Sequence, residues 1–506
     1  MKKSFGLLCI GVLLFFSCCS LGFSPATDQI DLTILHVNDL HGHISPRMDK
    51  SIDEQVPVGG AAYLAKMIQD QRAKNPEGTL LLSAGDMFQG TPISNIYRGQ
   101  PVIDLMNLLQ FDAMAVGNHE FDWGQDVLES LQWSATFPFL SANIRNRQGS
   151  SPTGIGPYIL TTRKNLKIAV IGVTTPDTVY TTKPTHVRSL TFLNPVEVLP
   201  VLLAEVRDKG AALVIVLSHL GFDADKDLAQ KIAGIDVIVG GHSHTAVVNP
   251  VVMGSTLIVQ AGCYGTYLGV LQLKIEQKTG RIVEYSRQNE LKTVFSGAEY
   301  ARDEMIASLY NKYNDQIKEE FSRVVGETSV DLVRRMREES SIGNLTCDAM
   351  REANGAEIAF QNGGGIRSDI AAGKITLEQV YTLLPFDDVS IAMDLTGQQI
   401  LQILEQSATL QHQILQVSGL KVTYDLTRPP GVRVIAAQVG NKPLVVGKAY
   451  RVVTNDFLAA GGDKYSMFKE GKNLIYGDFL RNELIAYLQR YSPVQPAVEN
   501  RIVMVK

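Results

Sequence analysis

Cysteine is scarce in this chain: there are five in 506 residues, and three of them (Cys9, Cys18, Cys19) crowd the first twenty positions. Only Cys263 and Cys347 remain in the body, which does not support a disulfide framework; each reads as a small buried residue. Positive charge is not in excess either. Lys and Arg number 47 against 52 Asp and Glu, a net charge of −5, so nothing points to a nucleic-acid polymer or an anionic membrane surface as partner. No apolar run of spanning length follows the first segment, so the body is expected to stay out of the bilayer. Internal repeats and low-complexity tracts are also missing. What is present is length, enough for two domains with a large core each.

The N-terminus combines Lys2 and Lys3 with the apolar run "FGLLCIGVLLFFSCCS", too short for a comfortable span and well placed for an export signal, read here as residues 1–27. Two processing outcomes fit. "FFSC" resembles a bacterial lipoprotein cleavage box, which would make Cys18 a lipid anchor and the only route to a membrane; simple cleavage near "LGFSPA" is the other. Either way an exported, periplasmic protein is expected.

Residues 28–297 alternate short Val/Ile/Leu-rich runs ("DLTILHV", "TLLLSAG", "DAMAVG", "LKIAVIGV", "ALVIVLS", "DVIVGG", "TLIVQAG") with amphipathic stretches such as "AAYLAKMIQDQRAK". Strands buried on both faces read this way, and the alternation predicts an α/β layered domain. Residues 298–325 are polar and helix-like, a connector. Residues 326–506 mix helices ("IGNLTCDAMREAN") with strands ("AYRVVTN") as a second domain.

The chemistry lies just past the strand ends. Asp39 and His41 follow the first run, Asp86 the second, Asn118 and His119 the third, His219 the fifth, and His242 and His244 the sixth. Ligands of α/β sheets gather at that edge. Imidazole with carboxylate and no thiolate suits Zn, Mn, Co or Fe. Seven donors are too many for one open catalytic ion, so two are inferred, with Asp86 between them. Asp39, His41, Asp86 and His244 are assigned to one, and Asp86, Asn118, His219 and His242 to the other. Two such ions about 3.5–4 Å apart can clamp a transferring phosphoryl group. His119 should face the phosphoryl group, with Asp122 holding its ring as imidazolium. Nothing in the spacing assigns Glu120 a role. His36 and His186 are read as non-ligands, and His43 is left open.

The segments "NDLHGH", "GDMFQGTP", "GNHEFDWG", "SHLG" and "GGHSH" closely resemble the calcineurin-like metallophosphoesterases, and the whole mature chain resembles the secreted 5′-nucleotidase family, which includes UDP-sugar hydrolases. Some relatives carry Gln or Asn where His244 stands. The resemblance implies a four-layer metallophosphoesterase sandwich followed by an α/β 5′-nucleotidase substrate-binding domain. It also implies two divalent cations and a nucleotide substrate, most simply a 5′-nucleoside monophosphate. UDP-sugars, nucleoside di- or triphosphates and 2′,3′-cyclic nucleotides are the alternatives.

The same resemblance assigns the second domain's residues. Phe386 in "LLPFDD" and Phe457 in "NDFLAAGGDKY" would sandwich the base. Asn362 and Asp463 would contact base and ribose, and Arg367, at the end of "NGGGIR", would bind phosphate. A further phosphate-binding arginine is expected before "GNL"; in "RRMREESSIGNL" both Arg335 and Arg337 are candidates, with Met336 at the usual position. Catalysis then requires an interdomain cleft and domain rotation about the connector.

Overall fold

The computed structural model describes residues 29–288, 290–410 and 412–505; the expected leader and Cys18 lie outside the described residues. The apolar runs form two sheets. In the first, Gln29–Val37, Thr79–Ser83, Ala113–Ala115, Phe139–Leu140 and Ile155–Gly156 run parallel, and Tyr267–Glu276 pairs antiparallel on the far side of Gln29–Val37. In the second, Leu166–Thr174, Leu213–His219, Val237–Gly240 and Thr256–Gln260 are parallel, with antiparallel strands Tyr158–Arg163 and Val251–Met253 at the edges.

Strand side chains alternate between two environments, and that alternation stacks the layers. Ile34, Leu80 and Leu82 meet Ile168, Val170 and Ile215 between the sheets. Their neighbours Leu35, Val37 and Leu81 pack outward on helices Ala61–Lys74 and Gln100–Leu109. On the other side Ile171, Val173 and Val216 pack on Pro195–Asp208 and Phe222–Lys231. Helix, sheet, sheet, helix: this is the four-layer sandwich.

Helix Glu304–Phe321 starts at Asp303, whose side chain accepts the Ile306 N–H. It places Ile306 and Tyr313 in the core of the first domain and Phe321 in that of the second. The second domain is built on a five-stranded sheet in the order Leu415–Ser418, Ile358–Asn362, Ala449–Asn455, Val389–Thr396, Lys472–Phe479. Ser341–Ala353 packs on one face and Gly397–Thr409 on the other. The domains touch polar to polar: Asn95 Nδ2 donates to the Pro385 carbonyl at 2.7 Å, and Arg98 pairs with Asp387 at 3.2 Å.

Cys347 is buried and free; Cys263 is also free but only partly buried, more open than its composition-based reading. Among the described residues no helix is long and apolar enough to cross a membrane.

Candidate dinuclear metal centre and active site

The strand ends converge from both sheets. Asp39, His41, Asp86, Asn118 and His119 follow strands of the first sheet, while His219 ends a strand of the second and His242 and His244 follow its neighbour. Asp39, His41, Asp86, His242 and His244 all have φ between 49° and 72°. A non-glycine side chain in the left-handed region costs conformational energy, and five together mark a backbone bent to aim its side chains.

Two donor clusters result: Asp39, His41 and His244 in one, and Asp86, His219 and His242 in the other. His41 Nε2 lies 3.2 Å from His244 Nε2. Asp86 Oδ2 is 2.9 Å from His219 Nε2 and 3.9 Å from His41 Nε2, so its carboxylate stands between the clusters.

The donor chemistry fits cations. His41 Nδ1 donates to the Gln89 carbonyl at 2.9 Å and His219 Nδ1 to the Ala84 carbonyl at 2.7 Å. Each bond commits Nδ1 and turns Nε2 inward. His219 Nε2 faces Asp86 Oδ2 at 2.9 Å, a separation that calls for a positive charge between them, either a proton or a cation; the Asp86 charge favours the charged ring and, against burial, raises His219 to about 10. Asn118 Nδ2 donates to the Thr181 carbonyl at 3.1 Å, and its buried Oδ1 is left without a partner. Burial and the Arg367 charge hold His41 and His244 well below the ordinary imidazole value, and burial with the His219 charge holds His242 at about 3. Neutral rings are what ligation needs.

His119 Nδ1 donates to Asp122 Oδ2 at 2.6 Å, and Thr182 Oγ1 donates to the other Asp122 oxygen at 2.7 Å. Burial opposes the charged ring, but Asp122 and Asp86 outweigh it and raise His119 above the ordinary value.

Several supporting residues have no signature in strand-end spacing. Glu120 is buried; its Oε2 accepts the N–H of Asp86 and Gly117 at 2.8 and 2.7 Å, and its Oε1 accepts that of Met87 at 2.8 Å. Burial, then the Asp86 charge, push its carboxyl up to about 7. Gly117 is required by close approach, since a Cβ there would stand 2.2 Å from Asp86 Oδ1. Asn38 donates to Asp39 Oδ2 at 2.7 Å and accepts the Ala261 N–H at 2.8 Å. His36 is buried against Glu290 at 2.5 Å, His43 packs on Tyr264 with ring centroids 4.2 Å apart, and His186 Nδ1 reaches the Phe121 carbonyl at 3.2 Å.

The second domain reaches this centre. Arg367 Nη2 donates to His41 Nε2 at 3.2 Å, and the Phe386 ring lies 5.7 Å from that of His119. Asn362 Nδ2 and Gln413 Nε2 both donate to Asp463 Oδ2 at 2.9 Å. Gln413 Oε1 also accepts the Gly364 N–H, so one amide joins the Gly-rich turn to Asp463. Phe457 is half-buried over Gly462, where a Cβ would meet its ring at 2.5 Å.

Arg335 and Arg337 are exposed, Arg335 paired with Glu338 at 2.9 Å. It is Arg334 whose charge reaches His244, His43 and Cys263. Leu332 is buried, Arg334 and Met336 are half-buried, and 333, 335 and 337 are exposed. Burial thus alternates with period two from Leu332, which turns Arg334 toward the site and 335 and 337 to solvent; the residue types alone do not show this, since Val333 is apolar and exposed.

Comparisons agree with this geometry. Residues 32–246 match the calcineurin-like phosphoesterase family and residues 324–470 the 5′-nucleotidase C-terminal domain. The chain is 34% identical to a snake venom 5′-nucleotidase of Crotalus adamanteus over 95% of its length and 90% of that protein's. It is 32% identical to the 5′-nucleotidase of Bos taurus over 94% of this chain and 92% of that one. The crystal structure of a 5′-nucleotidase precursor from Thermus thermophilus superposes with a TM-score of 0.88 at 34% identity, covering 94% of this chain and 99% of that one. The chain therefore belongs to the 5′-nucleotidase family, with a calcineurin-like metallophosphoesterase domain at its N-terminal end and a 5′-nucleotidase C-terminal domain.

Proposed function

We propose that the protein releases phosphate from 5′-nucleoside monophosphates, leaving the nucleoside. The observation that carries this reading is the meeting of two chemistries: Arg367 and Phe386 of the second domain stand against His41 and His119 of the first. A phosphate at the donor clusters would thus have a guanidinium and an aromatic face beside it.

Asp39, His41, Asp86 and His244 would hold one divalent cation, and Asp86, Asn118, His219 and His242 the other. Two bound divalent cations supply an acidified water and neutralise phosphoryl charge. Arg367 and Arg334 orient the phosphate by their planar forks. His119, charged through Asp122, presents its Nε2–H to the phosphoryl group and offsets charge in the transition state. Phe386 and Phe457 take the base between them, while Asn362 and Asp463 contact base and ribose. The division into residues 28–297, 298–325 and 326–506, and export through residues 1–27, belong to the same reading.

Phosphate release from AMP, measured in Mn or Zn and again after EDTA, tests it. Turnover lost on chelation and restored by metal is the expected result; no release from any 5′-monophosphate in a nucleotide panel would overturn it.

A further inference from the structure

Three consecutive residues, from the last residue of the short helix Thr178–Thr181 to the one before Pro184–Val187, each hold a different part of the centre. The Thr181 carbonyl accepts Asn118 Nδ2 at 3.1 Å, which turns Asn118 Oδ1 toward the donor cluster. Thr182 Oγ1 donates to Asp122 at 2.7 Å, steadying the acid that holds His119. Lys183 Nζ crosses to the second domain and meets Asp456 Oδ2 at 2.5 Å.

Asp456 is not an arbitrary anchor. It directly precedes Phe457, and its Oδ1 accepts the Val389 N–H at 3.2 Å. Its charge also acts on Asp388, two residues past Phe386. Burial and then the Asp456 charge push the Asp388 carboxyl well above its ordinary value, and the Lys183 charge opposes them. The side chains of Lys183 and Asp456 are 29% and 13% exposed, so the pair is better shielded than a free surface ion pair, which contributes little.

We infer that Lys183 is a positioning residue that joins the Phe386–Phe457 pair to the His119–Asp122 dyad, through the strut Thr181–Thr182–Lys183. A nucleoside seated between the rings and a phosphate at the donor clusters are then held in one register. Lys464, beside Asp463, adds a parallel tie to Asp177 at 3.0 Å at the start of the same segment. The inference rests on the nucleotidase reading above.

The test compares AMP with p-nitrophenyl phosphate, which carries no nucleoside. Misplacing a reacting group by about 1 Å can cost up to about a hundredfold. Lys183→Met is therefore expected to lower kcat for AMP by about tenfold or more beyond any loss with p-nitrophenyl phosphate, and Lys183→Arg to restore most of that gap. Metal content and Tm report folding, and Lys183→Gln stands in if the Met variant does not fold. An AMP to p-nitrophenyl phosphate ratio equal to the wild type in a folded Met or Gln variant, or no recovery with Arg, would overturn the strut. Absent AMP turnover in the wild type would instead count against the nucleotidase reading.

Discussion

Replacing Glu120 by Gln is the sharpest probe of how this centre is held. The carboxylate accepts three backbone N–H groups from the two turns that carry Asp86 and Asn118. An amide has only one accepting oxygen. If that oxygen takes the Oε2 place, Asp86 and Gly117 stay bonded and the Met87 N–H faces an NH₂; in the other orientation two N–H groups are lost. One buried unpaired donor costs about 1–3 kcal/mol, so the better orientation sets the expected loss. For a domain of this size that lowers Tm by roughly 2–4 °C per kcal/mol. The larger effect falls on the cations, because Asp86 stands between both clusters; removing a group that orients a ligand costs about 10- to 100-fold in metal affinity. Differential scanning fluorimetry of chelated protein reads the first effect, and metal titration followed by mass-spectrometric metal counting reads the second. A variant with wild-type Tm and both cations bound at wild-type affinity would show that Glu120 does not brace Asp86.

Three further outcomes are expected. His119→Ala should lower kcat about 10²- to 10⁴-fold with metal content unchanged; a kcat near that of the wild type would remove His119 from the chemistry. Phe386→Ala should weaken AMP binding by about 1–3 kcal/mol, roughly 5- to 150-fold in KM, if base stacking on nucleic-acid-binding proteins is a guide; an equal rise for p-nitrophenyl phosphate would contradict the base-stacking role. Glu483 is buried, its Oε1 accepting from Ser390 and Asn354 at 2.6 and 2.9 Å, its Oε2 unpaired, and burial pushes its carboxyl up from 4.5 to about 7. The folded protein therefore keeps a proton that the unfolded chain releases above about pH 4.5, and this contribution to stability is lost as pH rises through 7. Glu483→Gln should flatten Tm against pH between 4.5 and 7; an unchanged slope would show that Glu483 is not the group responsible.

The candidate metal donors were legible because chemistry at a sheet edge follows local rules. A Val/Ile/Leu run predicts a buried strand, a glycine turn follows, and the polar residue past it faces the edge where ligands bind. That logic picked out Asp39, His41, Asp86, Asn118, His219, His242 and His244, which all lie at the converging strand ends. It did not reveal that they come from two sheets facing each other, because strand order is set by pairing across the fold. That Arg334, rather than Arg335 or Arg337, lies near enough to act on His244 was not legible, since the direction of a side chain in an irregular segment depends on where its neighbour Leu332 is buried.

Read alone, the chain determined the α/β layering, the paired donor sets and the family resemblance, because each depends on residue type at short spacing. Glu120 as a brace, Gln413 as a bridge and Lys183 as a tie between domains were decided only by the tertiary structure. Their long-range partners lie 33 and 34 residues away for Glu120, 49 and 50 for Gln413, and 273 for Lys183. A hydrogen bond or ion pair needs contact within a few ångströms, and contact over such separations exists only once the chain has folded.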